Sequence, residues 1–188
     1  MKRLFVAVKL HPDENFLRVY YGLKRALHYE KIKWVEPENM HITLKFLGET
    51  PDSRIPVINR TLREVAGRHT SFSFTLEKTG IFGSRYNPRV IWIGMQDAGE
   101  MKNLGEDILN SLHDAGFYRD RQNFVPHLTI GRIKHLENKK LFQKTIDKYK
   151  DTFLQQVTVD RFFLYQSILK RTGPVYIPLK EFLPDFST

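Results

Sequence analysis

The stretch Asn39-Met40-His41-Ile42-Thr43-Leu44-Lys45-Phe46-Leu47-Gly48 has a counterpart later in the chain, Phe124-Val125-Pro126-His127-Leu128-Thr129-Ile130-Gly131-Arg132. Both carry His, apolar, Thr, apolar in succession. The two histidines lie 86 residues apart, close to half of the 188-residue chain. With 7 His and 12 Thr in the chain, fewer than one His-x-Thr triplet is expected by chance. Two of them, each flanked by apolar residues at the alternate positions and each in a strand-like setting, point to a duplicated unit.

Alternation fixes which way these residues face. In a strand successive side chains point to opposite sides, so His41 and Thr43 share one face while Ile42 and Leu44 share the other. The same parity holds for His127 and Thr129 against Leu128 and Ile130. The apolar residues anchor each strand in a core, and His and Thr face out of it, about 6.6 to 7 Å apart along the strand. Two such strands across a cleft would present two imidazoles and two hydroxyls to one bound group.

Outward from these strands the pattern is mixed. Arg3 to Leu10 alternate as a strand with Leu4, Val6 and Val8 on one face, and Asp13 caps a helix carrying Phe16, Val19, Tyr20, Leu23 and Leu27 at helical spacing. Lys33 to Val35 and a loop, Glu36 to Asn39, lead into the strand His41 to Leu47, and a helix is expected from Ser53 to about Gly67. Further strands are read around Phe72 to Leu76, Val90 to Met95 and Pro126 to Ile133, with helices at 98–115 and from Asn138 to Tyr149. The tail reads as one long strand, Gln156 to Ile168, and a last one at Val175 to Leu179. Nothing linker-like divides the chain. The expected fold class is α+β, a bilobal duplicated fold in which two antiparallel sheets flanked by helices surround a central cleft with pseudo-two-fold symmetry, residues 1–188 forming a single domain of two interleaved lobes.

Composition narrows the chemistry. There is no cysteine, which excludes disulfides, thiolate nucleophiles, iron–sulfur clusters and Cys-ligated zinc. Lys plus Arg exceed Asp plus Glu by 30 to 21, a net charge of +9, which suits a polyanionic partner. Arg119, Arg121, Arg132 and Lys134 gather around the second His segment. The five apolar residues Leu4 to Val8 are too few for a signal peptide, and no run approaches a membrane span, so a cytoplasmic protein without membrane association is expected.

Two imidazoles and two hydroxyls around one group suit hydrolysis of a phosphodiester or cyclic phosphate. Imidazole titrates near neutrality, so one ring can take a proton from the attacking water while the other gives one to the departing alkoxide. Thr hydroxyls can donate to the non-bridging oxygens. No metal is needed by this scheme, no cofactor motif stands out, and the His strands carry no carboxylates at ligand spacing.

These residues resemble the 2H phosphoesterases, named for two His-x-Thr-x motifs in a duplicated fold, and within them the RNA 2′,3′-cyclic phosphodiesterases historically called 2′-5′ RNA ligases. The resemblance runs through Asn39 to Gly48, Asn87 to Gly94 (NPRVIWIG), Phe124 to Arg132 and Tyr165 to Tyr176 (YQSILKRTGPVY), and with the element order spans nearly the whole chain. It implies metal-free hydrolysis of a terminal RNA 2′,3′-cyclic phosphate to a 2′-phosphate; separately, a monomer is expected. His41 would donate to the leaving 3′ oxygen, His127 would activate water, and Thr43 and Thr129 would bind phosphate. The parity argument alone is symmetric between the histidines. Three alternatives remain open: a ligase, a phosphodiesterase for another small cyclic or 2′,5′-linked nucleotide, and a non-catalytic RNA-binding module.

Other candidates follow from parity and composition. Arg132, five residues after His127, points away from the cleft by simple alternation, and only a bulge near Gly131 would bring it back to a phosphate. Lys45 shares the parity of His41 and Thr43 and is a candidate for the RNA backbone, whereas Phe46 has the opposite parity and is expected in the core. Tyr165 and Ser167 share one strand face as candidate cleft-lining residues. Trp34, Trp92, Tyr86 and Phe82 are the aromatic candidates for stacking on a base, with Trp92, inside Val90 to Ile93, expected in the core. The histidines at 11, 28, 69, 113 and 135 read as surface or capping residues.

Overall fold

The computed structural model describes residues 1–84, 86–119, 124–171 and 173–184. Nine strands and four helices are described there, in the order β1 (Lys2–Lys9), α1 (Glu14–Ala26), β2 (Lys31–Trp34), β3 (His41–Thr50), α2 (Ile55–Ala66), β4 (Phe72–Ser84), β5 (Asn87–Gln96), α3 (Gly99–Asp114), β6 (Leu128–His135), α4 (Lys139–Lys148), β7 (Phe153–Val159), β8 (Phe162–Lys170) and β9 (Gly173–Phe182). One sheet has the order β3-β1-β8-β9 and the other β2-β6-β5-β4-β7. All pairings are antiparallel. The duplication is visible in the order: β1-α1-β3 and β5-α3-β6 are each a strand, a helix and a returning strand that carries or follows a motif histidine.

Local chemistry explains the elements. The Asp13 carboxylate accepts from the Phe16 amide at 2.7 Å and caps α1, whose Phe16, Val19, Tyr20 and Leu23 are buried. Asn138 does the same for α4, accepting from the Leu141 amide at 2.9 Å. The buried Glu30 carboxylate accepts from the amides of Glu137 and Asn138 at 2.6 and 3.0 Å, which docks the start of α4 beside β2. In β1, Leu4, Val6 and Val8 enter the main core as alternation requires, while Phe5 and Ala7 join Tyr165 in a second cluster on the opposite face.

That main core is shared by both sheets. It takes Leu4, Ile42 and Leu164 from the first sheet, Ile91, Leu128 and Val157 from the second, and Phe16, Leu62 and Leu104 from the helices. The faces turned away from it are left to line a cleft.

The expected long strand from Gln156 to Ile168 is corrected. It breaks at Asp160 and Arg161, where the Arg161 guanidinium grips both Asp160 and Glu181. β7 then belongs to the second sheet beside β4, and β8 to the first beside β1 and β9. Alternation continues across the break because each half has one buried face; it reports facing, not partner. The chain therefore changes sheets four times, through α1 from β1 to β2, back from β2 to β3, through α2 from β3 to β4 and back again at Asp160-Arg161.

Candidate active site

His41 opens β3 and pairs across to Lys9 of β1; His127 immediately precedes β6. The two are held alike. His41 Nδ1 lies 2.7 Å from the Asn39 carbonyl and His127 Nδ1 lies 2.9 Å from the Val125 carbonyl. A carbonyl only accepts, so each Nδ1 carries the hydrogen and donates it, and each neutral ring has its lone pair on Nε2. The same two-residue backward bond at both sites is the duplication expressed as chemistry.

The surroundings differ. The His41 ring lies 5.0 Å from both Phe5 and Tyr176, the latter edge-on. Burial pushes its pKa down to about 4, against the opposing effect of the Asn39 carbonyl, and the positive charges of Lys9 and Arg132 push the same way as burial. Lys9 donates to the Glu38 carbonyl, and desolvation lowers its own pKa. A cavity of about 290 Å³ lies against His41, lined also by Phe5, Lys9, Tyr165 and Tyr176. His127 is instead met by the edge of Phe82, ring centres 4.7 Å apart and planes at 86°.

Arg132 reaches the cleft through a bulge. Thr129 pairs with Trp92 and Gly131 with Ile91, which leaves Ile130 as an extra residue in β6. Arg132 then pairs with Val90, two residues from Trp92 on the same face of β5, so it stands on the side of Thr129. The arginine charge acts on both His41 and Tyr176 of the opposite sheet. The bulge admitted near Gly131 by the sequence is thus what sets its direction.

A second bulge corrects Lys45 and Phe46. Thr43 pairs with Ala7, but Lys45 pairs with Val6, a residue of the main core, and Phe46 with Phe5 of the cleft face. Lys45 is buried, its ammonium 5.9 Å from the Tyr118 ring centre, and does not share the face of His41 and Thr43. Phe46 is 59% exposed with its ring 6.1 Å from that of Phe5, so it sits at the cleft rim and not in the core. One extra residue at Leu44 reverses both assignments.

Tyr165 is buried against Phe5, stacked at 5.2 Å, and lines the His41 cavity; Ser167 pairs with Tyr176 on the same face but does not line it. Trp92 is corrected as well. It belongs to neither hydrophobic cluster, faces the cleft beside Phe82 at 5.5 Å, and lies flat over Gly80, where an added Cβ would fall 2.2 Å from its ring. Trp34 packs on the core edge-on to Tyr20, and Tyr86 is exposed at the β4–β5 tip. Arg119 is held by Glu106 at 2.7 Å; Arg121 lies outside the described residues. Phe5, Lys9 and Tyr176 join the site from outside the expected residues. Phe5 and Ala7 were the available signal, apolar residues on the side of β1 opposite its core face. Among the described residues no three His, Cys, Asp or Glu side chains come together as a metal would need, and no helix is long and apolar enough to cross a membrane.

Two related strands presenting His and Thr across a cleft, on a duplicated pair of antiparallel sheets, define the phosphoesterase class. Residues 8–92 and 93–176 each match the model of the LigT like Phosphoesterase family, and the chain belongs to that family. It is 38% identical over 180 residues to a protein named RNA 2′,3′-cyclic phosphodiesterase of Archaeoglobus fulgidus, covering 96% of this chain and 99% of that one. A protein of the same name from Thermotoga maritima is 42% identical over 149 residues, 79% of this chain and 77% of its own. The solved structure of E. coli LigT complexed with 3′-AMP superposes with a TM-score of 0.74 at 25% identity, covering 97% and 98% of the two chains.

Proposed function

We propose that this chain hydrolyses the 2′,3′-cyclic phosphate at an RNA end to a 2′-phosphate, with His41 and His127 as the acid and base and without a metal. The observation that carries the reading is the matched pair of imidazoles, each with Nδ1 tied to the carbonyl two residues back and Nε2 left for chemistry. The names of the relatives agree with it. A water oxygen attacks phosphorus and its proton passes to His127 Nε2. The bond from phosphorus to O3′ breaks, and a proton on His41 Nε2 passes to that oxygen, leaving a 3′-hydroxyl and a 2′-phosphate. Thr43 and Thr129 donate to the non-bridging oxygens, and Arg132 balances their charge.

The low pKa of His41 fits the donor role once substrate is considered. With its pKa near 4, the ring is neutral at pH 7 in the absence of a bound anion. A phosphate anion beside it favours the charged form, so substrate binding draws a proton from solvent onto His41 Nε2, and an intrinsically acidic imidazolium is a strong donor. Tyr165 and Tyr176 line the cavity beside it, with Ser167 on the same face. We take residues 1–188 as one domain of two interleaved lobes, acting as a monomer, and a cytoplasmic RNA substrate agrees with the absence of cysteine.

The test is an RNA ending in a 2′,3′-cyclic phosphate, incubated with the protein in EDTA and followed by phosphorus NMR. A 2′-phosphate formed by the wild type and lost in both His41→Ala and His127→Ala supports the reading. Turnover that survives either substitution, or that EDTA abolishes, overturns it.

A further inference from the structure

The pairing of β5 with β6 stops at Val90 opposite Arg132, although β5 begins at Asn87 and β6 runs on to His135. The strands splay, and the space between them and the start of α4 is a cavity of about 560 Å³. Its lining is strongly one-signed. Arg89, Arg132, Lys134 and Lys139 line it together with His135, and among the described residues no carboxylate does. Glu137 pairs with His135 at 3.4 Å but is not part of the wall. Lys139 donates to the Tyr86 carbonyl at 2.8 Å, which ties α4 to the hairpin tip, and the Tyr86 ring stands 85% exposed at the edge of the same cavity.

One residue joins this cavity to the cleft. Arg132 forms part of its wall, and the same arginine stands on the Thr129 face with its charge acting on His41. A ligand whose reacting phosphate lies beside Arg132 therefore has a cationic space continuing from that point. Single-stranded nucleic acid carries one negative charge per nucleotide and flat bases that stack on exposed aromatic rings, which matches a carboxylate-free basic wall with a tyrosine at its edge.

We infer that the cavity between the splayed ends of β5 and β6 is a subsite for the phosphates of the RNA strand immediately 5′ of the reacting end, with Arg89, Lys134 and Lys139 as its cations and Tyr86 as a stacking platform. This rests on the proposed function and extends it: the preferred substrate is an oligonucleotide, not a cyclic mononucleotide.

The experiment compares kcat/KM for a 2′,3′-cyclic mononucleotide and for a 10-mer RNA ending in the same group, in the wild type and in Arg89→Gln/Lys134→Gln/Lys139→Gln. The wild type is expected to favour the 10-mer by about tenfold or more at low salt. The triple variant is expected to lose most of that preference with its mononucleotide rate within about twofold of wild type. A double variant that retains Lys139 guards against loss of the bond to Tyr86 and should lose a smaller part. Equal losses on both substrates, or an undiminished preference for the 10-mer, overturns the inference. Fluorescence anisotropy with a 10-mer bearing a 2′-phosphate separates this inference from the proposed function. The slope of log binding constant against log salt should fall by about 0.7 for each phosphate contact removed. If the wild type turns over neither substrate, the functional reading fails, and an anisotropy slope unchanged by the triple variant then sinks the subsite too.

Discussion

His41 and His127 each give Nδ1 to the backbone and keep Nε2 for the substrate. General acid and base contributions of this kind are worth about 10² to 10⁴ in rate, so His41→Ala and His127→Ala are each expected to lower kcat by that order while leaving the melting temperature close to wild type. Histidine NMR titration checks the second residue-scale expectation. In the free protein the His41 ring should titrate near pH 4, because burial opposes its charge, and both bound phosphate and Arg132→Gln should move it upward. The same shift has a stability consequence. Between pH 6.5 and about 4 the unfolded chain holds a proton on this ring that the folded chain refuses, so stability is complete above pH 6.5 and falls as pH is lowered, by about 3 kcal/mol at the acid end. His41→Gln should flatten that part of the urea-denaturation profile; an unchanged profile would contradict the assigned burial effect.

Bulges and glycines decide what the strands present. In β6 the extra residue Ile130 puts Arg132 on the Thr129 face, and in β3 the extra residue at Leu44 puts Phe46 on the Phe5 face. Gly80 is required by Trp92, whose ring occupies the place of a side chain there. Gly80→Ala is expected to cost about 1–3 kcal/mol by overpacking and to reduce turnover, since Trp92 supports Phe82 and Phe82 touches His127. Urea denaturation and kinetics on one preparation would measure both. The caps are separable from the chemistry: Asp13→Ala removes the bond to the Phe16 amide and should cost about 1 kcal/mol with kcat unchanged.

At the scale of the molecule, both sheets bury one face each in a common core, and the chain crosses between them four times, the last two through α2 and at Asp160-Arg161. Neither half can be withdrawn without exposing the apolar face of the other. A single cooperative unfolding transition is therefore expected, with the amides of β1 and β5 exchanging through the same global opening. Leu164→Ala in the first sheet and Ile93→Ala in the second should each cost about 2–5 kcal/mol and lower that one transition. Two resolved transitions would contradict the shared core.

The repeated His-apolar-Thr-apolar segments were legible because alternation is a local property: Ile42, Leu44, Leu128 and Ile130 had to be buried, so His41 and Thr43, and likewise His127 and Thr129, had to face the other way. Helix α1 and its Asp13 cap were legible for the same reason, being written in neighbouring residues. Lys45, Phe46 and Trp92 were misread because one inserted residue, or a second covered face, inverts what periodicity predicts. Tertiary structure alone decided that β7 and β8 belong to different sheets, that Arg132 turns toward His41, and that Phe5, Lys9 and Tyr176 surround that ring. Period fixes the face of a side chain along its own strand; register, bulges and the choice of neighbouring strand are set by packing between residues far apart in sequence.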